Sequence, residues 1–211
     1  GERDYKIIKG LKEVWDPDNI FNPGKIVATP PMDTSLRYVI DQETKQFDTL
    51  LDFSETQGIL RAAEQCNGSG DCRKTEITGG TMCPSYMATR NEKETTRARA
   101  NILREMIRSS DKKNPFAHEE IKEVMDLCLS CKGCKSECPS NVDMGKLKQE
   151  WQYQYYKDRG VPVRNRLIGN FGAGMKLASV LPWGYRALFG NQVTGNIAKS
   201  LLGFAPKRSM P

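Results

Sequence analysis

Residues Cys128–Asn141 read CLSCKGCKSECPSN. The four cysteines fall at C-x2-C-x2-C-x3-C, and Pro139 follows the last of them. Three cysteines at this spacing wrap a chain around one metal–sulfur cube, each thiolate reaching a different iron. The fourth, followed by proline, crosses to a second cluster in two-cluster ferredoxins. Gly133 is expected to let the loop turn tightly. The alternative occupant is zinc, which favours two separated Cys pairs around one tetrahedral ion. The chain would then be a structural or regulatory zinc-binding module without a redox role.

Three cysteines lie outside this loop, in CNGSGDCRKTEITGGTMCPSY, residues 66–86. Cys66, Cys72 and Cys83 are irregularly spaced, but the stretch also ends in Cys-Pro. Crossing the two Cys-Pro ends gives Cys128, Cys131, Cys134 and Cys83 as one four-thiolate set, expected to hold a [4Fe–4S] cluster. Cys66, Cys72 and Cys138 remain as a three-thiolate set. This second site fits a [3Fe–4S] cluster. It also fits a [4Fe–4S] cluster completed by Asp71, by Asn67 or by a residue of a longer parent chain. Arg73 and Lys74 beside it are either solvated charges or stabilisers of the reduced cluster.

The chain has 211 residues and seven cysteines. An odd count, with four cysteines inside eleven residues, does not suit a secreted disulfide framework. It suits metal ligation in a reducing compartment, the cytoplasm. Residues 161–211 hold seven Lys/Arg (Arg164, Arg166, Lys176, Arg186, Lys199, Lys207, Arg208) and no Asp or Glu, so the formal +6 arises entirely there. The tail also carries Phe171, Leu177, Trp183, Tyr185 and Phe189. Such a segment suits an acidic protein face or, lying peripherally on the inner face of a membrane, anionic lipid. No nucleic-acid-binding motif accompanies the charge, so nucleic acid is not an expected partner.

The fold class expected is mainly α. Helical spacing marks residues 4–15 (Ile7, Ile8, Leu11, Val14, Trp15), which DPDNIFNPGK should terminate. LRYVI and FDTLLDF flank DQETKQ and predict a short β-hairpin. GILRAAEQC turns helical, and residues 67–82 are loop. A helix is expected over 92–108, with Ala98, Ile102, Met106 and Ile107 on one face and the arginines elsewhere. Another should open at Asn114-Pro115 with Ile121, Val124 and Met125 inward. A third, over 142–158, carries a stripe of Met144, Leu147, Trp151 and Tyr155 and stops at Gly160. Two weaker helices, 172–181 and 184–202, are broken at Leu181-Pro182-Trp183.

Several of these stretches carry a resemblance. WDPDNIFNPGKIV resembles the end of the catalytic domain in FAD-linked oxidases of the vanillyl-alcohol-oxidase type. AAEQCNGSGDCRKT, GGTMCPSY, TRNEKETTRARANILRE and CLSCKGCKSECPSNVDM resemble, in order, the ferredoxin segment of fused FAD/iron–sulfur dehydrogenases. That group includes D-lactate and D-2-hydroxyglutarate dehydrogenase-like enzymes and is similar to glycolate oxidase iron–sulfur subunits. The resemblance implies an α-helical two-cluster ferredoxin domain inside a longer parent protein. There, FAD takes a hydride from a 2-hydroxy acid, and electrons leave through the clusters to a quinone or redox carrier. The implied layout is residues 1–30 as the end of an FAD-linked domain, 31–57 as linker with hairpin, and 58–160 as ferredoxin domain. Residues 161–211 would be a tail toward a downstream cysteine-rich domain. The family's pyrophosphate loop, substrate arginines and metal-binding histidines have no counterpart here, so no catalytic and no FAD-binding residue is assigned. Asn22, in the NPG stretch, is either a residue that approaches the flavin of the parent protein or merely part of a turn. The lone histidine, His118, is expected to be a surface or capping residue.

Overall fold

A computed structural model describes residues 1–36, 38–39, 41–201 and 203–205, without the side chains of Tyr185, Leu188 and Phe189. Arg37, Ile40, Lys207, Arg208 and those two aromatic side chains of the tail therefore lie outside the described residues. The chain divides into two compact units, Gly1–Thr44 and a larger one from Lys45 onward.

The first unit contains α1 (Glu2–Trp15). Asp16 ends it. Its carboxylate accepts the Ile20 and Phe21 amides at 2.8 and 2.9 Å and pairs with Lys12, one turn back. That lysine holds the Asp16 carboxyl below the usual carboxylate range. The side chain thus fixes the turn that the prolines only permit. Ile7, Ile8, Leu11, Val14 and Trp15 are exposed.

The second unit is built on α2 (Ile59–Glu64), α3 (Pro84–Thr89), α4 (Thr96–Ser109), α5 (Glu119–Asp126), α6 (Gly133–Glu137) and α7 (Met144–Arg159). Ile59, Leu60, Leu103, Ile107, Ile121, Met125, Val142, Met144 and Leu147 form its core. The α7 stripe is as expected: Met144, Leu147, Trp151 and Tyr155 are all buried, and Gly160 at φ +77° closes the helix. Helix α5 begins four residues later than Asn114-Pro115. The Asn114 side chain instead accepts the Phe116 amide and donates to the Gln154 carbonyl, turning the chain before the helix.

The buried face of α4 is Thr96, Arg99, Ala100, Leu103 and Ile107. Ile102 and Met106 lie at its edge, half-buried. The expected face was thus rotated, and one arginine belongs inside. In the tail, α8 (Val163–Gly169), α9 (Phe171–Val180), α10 (Pro182–Phe189) and α11 (Gln192–Leu201) follow. The expected break falls at Leu181, between α9 and α10, and Pro182 opens α10 because the first turn needs no amide there; the segment expected as one helix over 184–202 is divided into α10 and α11.

No strand occurs among the described residues, so the expected hairpin is not confirmed; Arg37 and Ile40 of its first arm lie outside them. Residues 45–53 run irregularly along α7. The fully buried Glu150 carboxylate accepts the Leu50 and Leu51 amides at 3.1 and 2.9 Å, and Gln154 Nε2 donates to the Asp48 carbonyl at 2.7 Å. Amides that a β-partner would have bound are taken by side chains of α7. Phe47 packs edge-on against Phe116 at 5.4 Å between centroids. Replacing Glu150 with Ala strands two amides, so unfolding in urea should lose about 1–3 kcal/mol. Limited proteolysis should then cut first within 45–53. An unchanged midpoint would show that the carboxylate is dispensable.

Candidate metal centre

Two loops bring the seven cysteines into the second unit, and all seven thiols are free. Cys66 follows α2, Cys72 sits in the 3-10 turn Asp71–Arg73, and Cys83 is the N-cap residue of α3. The chain passes Cys83 in the left-handed region, at φ +56°. A non-glycine residue there stores roughly 1–2 kcal/mol, held by Pro84 as the first helical residue and by the Met87 amide on the Cys83 carbonyl.

In the second loop Ser130 and Lys132 take the left-handed conformation on either side of exposed Cys131. They make the tight turn expected of Gly133, which lies instead in helical conformation inside α6. Gly133 serves a close approach. A Cβ on it would stand 2.9 Å from Thr81 Oγ1 and 3.1 Å from the Thr81 carbonyl oxygen. Glu137 locks the same contact: its carboxylate accepts the Thr81 amide and hydroxyl, both at 2.7 Å, and the Met82 amide at 3.1 Å. The residues just before Cys83 are thus tied to the residue just before Cys138.

This closure places Cys83 with Cys128, Cys131 and Cys134 around one cavity, together with Thr96 and Arg99. These are the four thiols that the crossed Cys-Pro pattern groups. Of the remaining three, Cys66 lies near enough to Cys72 to help raise the pKa of the Cys72 thiol. Half-buried Cys138 closes α6, its amide on the Cys134 carbonyl at 2.9 Å. Asn67 turns its side-chain oxygen to the Ser69 amide at 3.0 Å, and half-buried Asp71 opens the Cys72 turn. Among the described residues, no three His, Cys, Asp or Glu side chains gather as ligands of a single metal ion.

The sulfurs have donors aimed at them. Cys83 Sγ receives the Thr96 amide at 3.0 Å and lies 2.8 Å from Thr96 Oγ1. Burial pushes the Cys83 thiol up to about 11, against the pull of those donors. Burial likewise raises Cys72, opposed by the Arg97 amide and Thr95 hydroxyl, and Cys134, opposed by the Met144 and Gly145 amides. Buried thiols with amide donors in place ionise when a cation displaces their protons. Such a donor set fits iron–sulfur clusters, whose thiolates are tuned by N–H···S bonds.

The surrounding charge is uneven. Arg73 pairs with Glu92 at 3.1 Å, their side chains 55 % and 46 % exposed, so it is a solvated surface charge. Lys148 Nζ donates to the Cys128 carbonyl at 2.6 Å and the Met125 carbonyl at 2.7 Å. His118 precedes α5 and holds Ser110 Oγ at 2.8 Å, outside the cysteine loops. Sequence reasoning missed Arg99, Glu137 and the helix-head amides. Only Arg99 leaves a local signal, a charge four residues before Leu103 and eight before Ile107.

Residues 65–143 match the model of a 4Fe–4S dicluster domain, and residues 1–26 match the C-terminal domain of FAD linked oxidases. Over its whole length the chain is 23 % identical to D-2-hydroxyglutarate dehydrogenase of Escherichia coli strain K12, covering 24 % of that protein. It is 26 % identical to D-2-hydroxyglutarate dehydrogenase of Pseudomonas putida KT2440 over 94 % of the chain and 23 % of the relative. Over 42 % of the chain it is 28 % identical to the glycolate oxidase iron–sulfur subunit of E. coli, covering 18 % of that subunit. The chain spans about a quarter of the length of the dehydrogenases it matches. No solved structure matches significantly. One polypeptide thus carries, in order, a match to part of the C-terminal domain of FAD linked oxidases and a match to a 4Fe–4S dicluster domain.

The Gly133–Thr81 approach gives a test of loop closure. Alanine at 133 gains up to ~1 kcal/mol of helix propensity, but overpacking against a backbone carbonyl costs about 1–3 kcal/mol. Gly133→Ala should therefore lower the urea midpoint of the metal-free protein. A raised midpoint would mean that the two loops do not need this contact.

Proposed function

We propose that the second unit is the electron relay of an FAD-linked 2-hydroxy acid dehydrogenase, accepting electrons from reduced FAD of the same parent protein. Cys83, Cys128, Cys131 and Cys134 would hold one [4Fe–4S] cluster. Cys66, Cys72 and Cys138 would hold the second, as [4Fe–4S] or [3Fe–4S]. The observation that carries this is the convergence of four thiols from two separate loops on one cavity. The clusters supply one-electron steps, which a flavin taking two electrons from a hydroxy acid needs before a single-electron acceptor can be served.

The chain's own residues ligate, orient and insulate. The Thr96 amide orients Cys83 Sγ, and the Met144 and Gly145 amides orient Cys134. Buried Met144 lines the four-cysteine cavity and would keep water from its inner side. Exposed Cys131 marks the corner nearest solvent, where an acceptor, a quinone or carrier protein, would approach. The work belongs in the reducing cytoplasm.

Anaerobic reconstitution should give a brown protein with iron and acid-labile sulfide for two clusters. Cys131→Ser should lose one EPR signal and keep the other. Zinc in a colourless protein, or one variant erasing both signals, would overturn the assignment.

The tail belongs to the same proposal as a docking segment for the downstream cysteine-rich domain. No helix among the described residues is long and apolar enough to cross a membrane. Exposed Leu167, Phe171, Leu177 and Trp183 stand there among basic residues alone, which suits an acidic protein face. The chain should then stay in the supernatant with anionic vesicles. Co-sedimentation that is lost on deleting 161–211 would assign the tail to the membrane surface instead.

A further inference from the structure

We propose that the Arg99–Glu94 pair is an electrostatic element that raises the redox potential of the cluster held by Cys83, Cys128, Cys131 and Cys134. This rests on the relay assignment above. Both side chains are only 2 % exposed, and Arg99 Nη2 lies 2.7 Å from Glu94 Oε2. Burying such a pair is costly, and apolar residues of similar volume commonly replace one without loss of stability. A role in packing alone therefore gives weak reason for a guanidinium on the inner face of α4.

The orientation of the pair supplies a stronger one. Arg99 lines the four-cysteine cavity and Glu94 does not. The pair is a fixed dipole with its positive end toward the thiols. A cluster that accepts an electron becomes more negative, so that end stabilises the reduced form. Desolvation makes the effect far larger than a surface charge would give. Lys148, held on the Cys128 carbonyl, acts in the same direction. The arginines near the other set are different: Arg73 and Arg97 share Glu92, with side chains 55 % and 28 % exposed, where water and salt screen them. The four-cysteine cluster should be the more readily reduced of the two.

The pair also clamps. Arg99 Nε donates to the Val124 carbonyl at 2.6 Å, Nη1 to the Glu94 carbonyl at 2.6 Å, and Nη2 to Ser85 Oγ at 3.0 Å. Val124 lies four residues before Cys128, and Ser85 two after Cys83. A clamp and a charge predict different things. Each would be followed by EPR-monitored dithionite titration of the reconstituted protein. One electron passes from dithionite to the cluster, and no bond or proton moves. Cys131→Ser identifies which signal belongs to the four-cysteine site.

Glu94→Gln leaves Arg99 uncompensated and should shift that cluster to more positive potential. Arg99→Gln should shift it to more negative potential. Arg99→Lys keeps the charge, loses the fork and should stay close to the parent. The other cluster should barely move in all three. Opposite shifts for the two partners are the signature of a field. If Glu94→Gln leaves the potential unchanged or lowers it, or if Arg99→Lys moves as far as Arg99→Gln, the pair is only a clamp. Where Arg99→Gln fails to fold, Glu94→Gln and Arg99→Lys decide alone. A parent chain that takes up no iron and sulfide fails the relay assignment itself, whereas normal clusters with unmoved potentials fail only this inference.

Discussion

A helix begins with N–H groups that none of its own carbonyls can reach. In α4 the third helical amide, of Ala98, goes to the capping hydroxyl of Thr95 at 3.0 Å. The first two, of Thr96 and Arg97, go to the sulfurs of Cys83 and Cys72. In α7 the same division recurs. Lys146 donates to the capping carboxylate of Asp143 at 3.0 Å, and Met144 and Gly145 face Cys134. Both long helices therefore present to sulfur the amides that would otherwise face water. Because the partial positive charge of a helix sits at this end, the heads suit thiolates better than thiols. The loops between them are long and irregular because their ends must reach these points.

The parts of this plan that follow from local pattern were legible in the sequence. The α7 stripe repeats every three to four residues, and the cysteine spacing encodes its own wrapping, so both could be found without tertiary information. The parts decided by distant partners were not. FDTLLDF has strand composition, yet Glu150, about a hundred positions away, takes its amides. Gly133 looks like a turn glycine, yet Thr81 explains it. Arg99 looks like a surface arginine on a polar helix until Glu94, Ser85 and the Val124 carbonyl supply its partners. A buried charge is invisible to a hydrophobic pattern because its burial depends on partners from three separate segments.

The positive-φ residues carry a related lesson. Cys83, Ser130 and Lys132 all adopt a backbone conformation that non-glycine residues avoid. Glycine would relax each position but would also let the loop sample other shapes when metal-free. With bulkier residues there, the loops are held by neighbours: Glu137 on the first loop, and the close contact between Lys132 and Gly145 on the second. Strain at these points is thus offset by contacts made elsewhere, which is the usual condition for its survival at a binding site.

The backbone also sets how far apart two clusters would stand in the proposed assignment. Cys134 and Cys138 lie at opposite ends of the single helical turn of α6. Four residues of helix rise by about 6 Å, and one of these cysteines belongs to each set. On the other side, neighbouring amides of α4 reach Cys83 of one set and Cys72 of the other. One helical turn and one peptide unit therefore bridge the two sets, leaving only the short cysteine side chains to vary the spacing. Side chains can tune the potentials, as the Arg99–Glu94 dipole is proposed to do, but they have little hold on the spacing. Mutations that change a potential while keeping α6 and the head of α4 intact should therefore alter the driving force between the clusters without altering the distance over which the electron moves.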